Sequence, residues 1–412
     1  MAARSLDGQS FDGPRLIRPE ELVASQRLDA LCFPGFVEQV AEEELLASYT
    51  PPRRGGIQVI CHRGVPVSQI EITHSRVDVY GGYLRIASIG SVCAHPDYRG
   101  QGLASRLLDY CMHKLAAEGA RLVLISGTRG LYTRAGCVTA QDFECVVLRP
   151  GQPCGTSSGP VEPPGPPLCP TTDDLSLRPA TGADAALCAR LYQMEAVHFV
   201  RRVEEFAGHF CRLERYPQAE DWIVEVGGHP VAYAFLSLPW EHRHDDAGLR
   251  GVFEYAGSRV ALVAGLAQVM ARLDLREMRL LVPWQDVDFR QLLRGRGTSG
   301  KHFLLEHTMR IVDLPGLMSD LRPYVGARLT ARQRRGLRFE QEGPAPGEVA
   351  GDRYAIVRGR ERLELDGATM TRLVMGAPDE MRPNVSLGSG ALSEVVPALF
   401  PLPSFLPGLN YR

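Results

Sequence analysis

Apolar residues follow a helical spacing over residues 19–31 and 36–49, then shorten into strand-like runs at 57–61 and 65–72. Gly81-Gly82 stands between the runs 76–80 and 83–94, which is a hairpin signal. After a short polar loop, Leu103, Leu107, Leu108, Cys111 and Leu115 fall on one helical face, and Gly119 closes that helix. Residues 121–126 read as a short buried strand and 131–134 as the start of another helix. Helices, a meander and then strand–helix–strand predict a mixed α/β layer.

Between 150 and 174 this periodicity stops. Pro153, Pro160, Pro163, Pro164, Pro166, Pro167 and Pro170 are mixed with Gly151, Gly155, Gly159 and Gly165, so 151–173 reads as an extended linker. Beyond it the earlier order returns. A strand is expected at 175–181, helices at 184–195 and 203–215, and a hairpin of 222–226 with 231–238. A strand at 251–255, a helix at 259–273 and a strand at 277–282 follow, so a duplicated fold is expected. The pattern changes again near 310–315. A helix at 314–324 is followed by strands at 337–342, 354–358 and 362–365, and Asp366 caps a helix over 368–374 that Gly376 closes. The expected units are therefore 1–150, 174–309 and 310–412.

Composition excludes several classes. The chain of 412 residues is 44% hydrophobic and 23% charged, which rules out disorder over most of its length. Its net charge of −2 offers no overall attraction to nucleic acid or anionic lipid, so neither is expected as a partner. Lys114 and Lys301 are the only lysines, which leaves little room for Schiff-base chemistry. The ten cysteines all lie between Cys32 and Cys211 without Cys-x-x-Cys spacing, and they read as reduced, buried thiols rather than zinc ligands. With no leader-like N-terminus and no apolar stretch long enough to span a bilayer, a cytoplasmic protein is expected. The run from Trp240 to Asp246 reads as a solvated polar loop rather than a metal site. Arg328, Arg332, Arg334, Arg335 and Arg338 read as surface or a subunit contact, since no stacking aromatics are interleaved.

The most informative stretch is Val92-Cys93-Ala94-His95-Pro96-Asp97-Tyr98-Arg99-Gly100-Gln101-Gly102-Leu103-Ala104. It ends a strand, crosses a loop and starts an amphipathic helix. Gly100 and Gly102 permit positive φ and close approach of the backbone, and the helix dipole favours an anion there. Arg99 adds charge-assisted donors to the same anion. A dinucleotide fingerprint fails, because Ser105 stands where a third glycine is needed and Ser126-Gly127 where an acid is needed. Gly-Lys-Ser/Thr is absent everywhere. The loop with its flanking strand and helix, together with Leu131-Tyr132-Thr133-Arg134-Ala135-Gly136-Cys137 downstream, resembles the GNAT superfamily of acetyl-CoA-dependent N-acetyltransferases. The resemblance implies that pantetheine amides pair with Val92, Cys93 and Ala94. It places the pyrophosphate over Arg99, Gly100, Gln101, Gly102, Leu103, Ala104 and Ser105, with no metal. It also puts Tyr132 where the family has a general acid, and a phenol is protonated at neutral pH.

The base is harder to read, since no carboxylate lies on 84–94. The whole arrangement is similar to the "enhanced intracellular survival" acetyltransferases, which have two tandem GNAT folds and a sterol carrier protein-like α/β domain. That likeness implies that the terminal carboxylate, on Arg412 here, reaches the first site as base. Glu38, Glu42 and His95 are weaker candidates. It also implies a homo-oligomer, a hexamer. The second copy has Tyr255-Ala256-Gly257-Ser258-Arg259-Val260 in place of the cradle and is expected to be degenerate. The expected activity is acetyl transfer from acetyl-CoA to a primary amine, on a small molecule or peptide, by direct transfer in a ternary complex. A binding or sensor protein for acyl-CoA or an apolar ligand, without turnover, is the alternative.

Overall fold

The computed structural model describes residues 10–34, 55–141, 143–149, 174–213, 220–236, 250–294, 300–303, 307–343, 352–376, 383–387 and 389–410. The expected helix at 36–49, the linker 151–173 and the polar loop 240–246 lie outside the described residues, as do Glu38, Glu42, Tyr411 and Arg412.

The first part of the chain runs β1 (Phe11–Leu16), α1 (Leu22–Cys32), β2 (Gly55–His62), β3 (Val65–Val79), β4 (Gly82–Ala94), α2 (Leu103–Ala117), β5 (Leu122–Ser126), α3 (Gly130–Arg134) and β6 (Phe143–Leu148). In α2 the residues expected on one face, Leu103, Leu107, Leu108, Cys111 and Leu115, are all buried. They pack on Ile70, Ile72, Ala87, Ile89, Val123 and Ile125 of the sheet, which is the hydrophobic stripe of a βαβ crossover doing what its spacing predicts. The expected runs 65–72 and 76–80 are a single strand. Thr73, His74 and Ser75 continue the ladder opposite Ser88, Ala87 and Ile86, so polar residues there do not interrupt pairing.

The second part runs β7 (Leu175–Pro179), α4 (Ala185–Gln193), β8 (Val197–Phe199), α5 (Val203–Leu213), β9 (Asp221–Val226), β10 (His229–Leu236), β11 (Arg250–Gly257), α6 (Arg259–Arg272), β12 (Met278–Pro283), α7 (Val287–Arg294), β13 (Gly300–Phe303) and β14 (His307–Ile311). The last part contains α8 (Leu314–Asp320), α9 (Arg322–Arg328), α10 (Ala331–Arg334), β15 (Leu337–Glu342), β16 (Arg353–Arg358), β17 (Glu361–Asp366), α11 (Gly367–Met375) and α12 (Ala391–Leu399). Asp366 caps α11 by accepting from the Thr369 amide, and Gly376 ends the helix, as the sequence predicts.

Two seven-stranded sheets carry the architecture, in the orders β1-β2-β3-β4-β5-β14, with β8 on the edge of β3, and β13-β6-β12-β11-β10-β9-β7. Each has one parallel pair spanned by a helix: β4 with β5 across α2, and β11 with β12 across α6. The sheets exchange strands. β6 lies antiparallel to β12, whereas β14 completes the first sheet beside β5. Boundaries at 150 and 310 therefore separate stretches of sequence but not sheets. A three-stranded antiparallel sheet, β15-β16-β17, forms the last layer. It is bound to the first sheet through the Arg310–Asp352 ion pair at 2.5 Å and the Tyr354 hydroxyl, which donates to Ile311 O at 2.6 Å.

Candidate active site

The site begins with a bulge. Along β4 the partners on β3 step from Gly90 opposite Glu71 to Cys93 opposite Gln69, which puts one extra residue on β4, and Ser91 takes φ 48°. A bulge bends its strand and raises its twist. The parallel pairing of β4 with β5 accordingly stops at Ile89 opposite Ile125. Beyond that point the backbone from Ser91 to Ala94 leaves β5, and Arg129, just before α3, reaches to 3.5 Å from Val92 O. The result is a fork in the sheet.

A cavity of about 300 Å³ lies at the fork, between the N-terminus of α2 and the end of α1. Val92, Cys93, Ala94, Arg99 and Ala104 line it, all of them expected from the motif. Leu131, from the downstream motif, joins them, while Cys32 and Phe33 from the end of α1, with Arg129, complete the wall without any hint from the motif. Gly100 and Gly102 have φ 80° and 74°, and a Cβ on either would meet nothing within 4 Å. The loop therefore opens onto space. Gly102 is the N-cap of α2 and supplies no side-chain cap, so the first-turn amides of Leu103, Ala104 and Ser105 keep no partner from a capping side chain. The Leu103 side chain itself is buried in the core, while Ser105 is exposed. Arg99 is exposed and donates through Nε to Ala94 O at 3.3 Å. A strand end, an open glycine turn and uncapped amides fit an extended thioester carrying a pyrophosphate.

Tyr132 is 2% exposed and packs in the core beneath the sheet. Burial raises its pKa, while Arg129 opposes that rise. The phenol stays protonated and is suited to donate. The Cys93 thiol is also pushed up by burial, which makes it a poor nucleophile. Asp29, on α1, is pushed up to about 6 by burial and by Glu71. Its Oδ1 lies 3.9 Å from Cys93 Sγ. His95 instead caps the short turn at Pro96–Tyr98, its Nδ1 accepting from the Asp97 amide at 3.2 Å.

On the face of the first sheet away from α2 a smaller cavity, about 50 Å³, opens at the same fork. Pairing places Glu71, Gly90, Ser88, Leu124, Ser126 and His307 on this face of successive strands, and all line it. The tail of the chain closes it with Phe405, Pro407 and Asn410. That tail is clamped by a buried pair, Arg201 and Glu254, 1% and 2% exposed. Arg201 donates to Pro407 O at 3.1 Å and to Asn410 Oδ1 at 2.5 Å, and Glu254 accepts from the Leu409 amide at 2.8 Å. Arg412, expected as the source of a basic carboxylate, lies just outside the described residues.

The corresponding fork of the second sheet is filled. A Cβ on Gly257 would collide with Val231 O, and the Tyr255 hydroxyl donates to Leu281 O at 3.2 Å. Arg259 pairs with Glu195 at 2.6 Å and Asp286 at 2.8 Å beneath the Tyr255 and Phe289 rings. Backbone amides there are covered by side chains. Among the described residues, no group of three or more His, Cys, Asp or Glu is placed to hold a metal.

Residues 14–140 match the family model for the acetyltransferase (GNAT) domain, a stretch that contains the fork, the glycine loop and Tyr132. Residues 14–140 thus form a GNAT acetyltransferase domain, and the activity it equips the chain for is N-acyl transfer. Whole-chain likeness to solved structures is one of fold. A GCN5-related N-acetyltransferase from Anabaena variabilis is 14% identical with TM-score 0.61, covering 94% of this chain and 96% of that one. Eis1 from Mycobacterium abscessus is 16% identical with TM-score 0.59 over the same shares of the two chains, 94% and 96%. A probable N-acyltransferase from Enterococcus faecalis is 16% identical with TM-score 0.58, covering 88% and 86%. No curated protein matches the sequence.

Proposed function

We propose that the chain transfers an acetyl group from acetyl-CoA to a primary amine, directly and within a ternary complex. One observation carries this reading: two cavities open at the fork between β4 and β5, one beside the open glycine loop that starts α2 and one on the face away from α2, beside Glu71. Pantetheine lies along Val92, Cys93 and Ala94, and the pyrophosphate rests on the loop from Arg99 to Ser105. The acceptor enters from the opposite face, where the Glu71 carboxylate favours a cation. The raised Cys93 thiol argues against an acetyl-cysteine intermediate, which supports direct transfer. Tyr132 gives its proton to the leaving thiolate. The second sheet serves as scaffold, its fork occupied by Arg259 and Tyr255, and the last part of the chain delivers the tail that shapes the acceptor pocket.

The test is calorimetry with acetyl-CoA together with thiol release over a panel of amines. Tyr132→Phe is expected to leave acetyl-CoA affinity intact and to lower kcat by about 100-fold. Unchanged turnover removes the acid role. Binding without thiol release from any amine favours a sensor.

A further inference from the structure

We infer that His307 takes the proton from the acceptor amine, through its Nε2, on the face of the first sheet away from α2. This rests on the acetyltransferase reading above. His307 is 4% exposed, and its Nε2 has no hydrogen-bond partner. Buried polar nitrogens are nearly always satisfied by something, so an orphan that lines a cavity marks a place for a ligand's donor. Register fixes where it stands. His307 is directly opposite Ser126 on β5, at the strand end where β4 and β5 have parted. An amine nitrogen seated there meets the fork on one side and the imidazole on the other.

Among the described residues lining this cavity, Glu71 from β3 is the charged one. Ser126 from β5, Phe199 from β8, and Phe405 and Asn410 from the tail carry no charge. Burial alone therefore governs the imidazole and lowers its pKa to about 4, leaving it neutral with a lone pair at Nε2 when the proton sits on Nδ1. An acceptor that arrives as an ammonium ion first gives one proton to water; the neutral amine nitrogen then bonds to the thioester carbonyl carbon while the carbonyl electron pair moves onto oxygen. Bonding at nitrogen makes its N–H far more acidic than that of a free ammonium, so a weak base suffices. The proton passes to Nε2. As the carbonyl reforms, the C–S bond breaks and sulfur takes the Tyr132 proton. His307 loses its proton to water and Tyr132 regains one, leaving amide and free thiol.

The test uses the full chain carrying His307→Leu, which fills the space without a lone pair, and His307→Gln. Calorimetry with acetyl-CoA, a melting curve and thiol release with the amine that the parent acetylates best are measured. The Leu variant is expected to melt no lower than the parent and to bind acetyl-CoA within about twofold, yet to lose about 100-fold in kcat/KM for the amine. The Gln variant is expected to lose activity as well. Either folded variant keeping kcat/KM within about threefold overturns the role. Failure of both to fold makes His307 a packing residue and also overturns it. A parent that binds acetyl-CoA but acetylates no amine defeats the acetyltransferase reading itself, a result visible before any variant is compared.

Discussion

Asp29 illustrates how a single residue near the fork is set by its surroundings. Half-buried on α1 and facing Glu71, its carboxyl is pushed up to about 6, so the folded chain holds a proton that the unfolded chain releases near the ordinary aspartate value of 3.8. Stability therefore falls as pH rises from about 4 to 6, because over that span the native state binds more protons. Asp29→Asn mimics the protonated form. It is expected to stabilise the chain at pH 7.5 by up to roughly 3 kcal/mol, with the gain vanishing near pH 4 in denaturant titrations. Equal gains at both pH values would sink this account. Nothing in the local sequence marks Asp29 or His307, whose roles come from neighbours on other strands. Gly100 and Gly102 were legible because their signal is local: positive φ is a property of the residue itself.

At the scale of elements, the strand–loop–helix unit from β4 through α2 keeps its glycine turn open. Gly102 takes φ 74° with open space beyond it. Gly102→Val is expected to cost only about 1 kcal/mol in stability from backbone strain, while weakening acetyl-CoA binding about tenfold or more, because its branched side chain enters the anion site. Calorimetry beside a melting curve checks this, and unchanged affinity would move the pyrophosphate elsewhere. In the second sheet the same order of elements has its turn closed by the packing of Gly257 and Arg259. The bulge that opens the working fork was not readable, since the run 83–94 looks like one regular strand. One residue more on β4 than on β3 appears only when the partners are seen.

For the whole molecule, strand exchange and the returning tail tie the units together. Without β14, β5 exposes an unpaired edge, and β6 has its partners β12 and β13 only in the second sheet. A fragment of residues 1–150 is therefore expected to aggregate or to melt without cooperativity, although it holds every cradle residue. A cooperative transition with acetyl-CoA binding by that fragment would show the exchange to be dispensable. His307 depends on the same exchange, for it sits on the strand that the later part of the chain lends to the first sheet. The Arg201–Glu254 pair then fixes the tail from Pro407 to Asn410 against the face of that sheet away from α2.

The features that were readable one segment at a time share a cause. Helical and strand periods, caps, the glycine turn and the tyrosine downstream all depend on neighbours within a few residues, and physics at that range is written in the chain. The pairing of distant strands is not. Which edge β6 and β14 complete, where the ladder slips by a residue, and which buried histidine is left without a partner follow from packing among residues far apart in sequence. No local preference encodes those choices, and they decide which side chains face the reacting atoms.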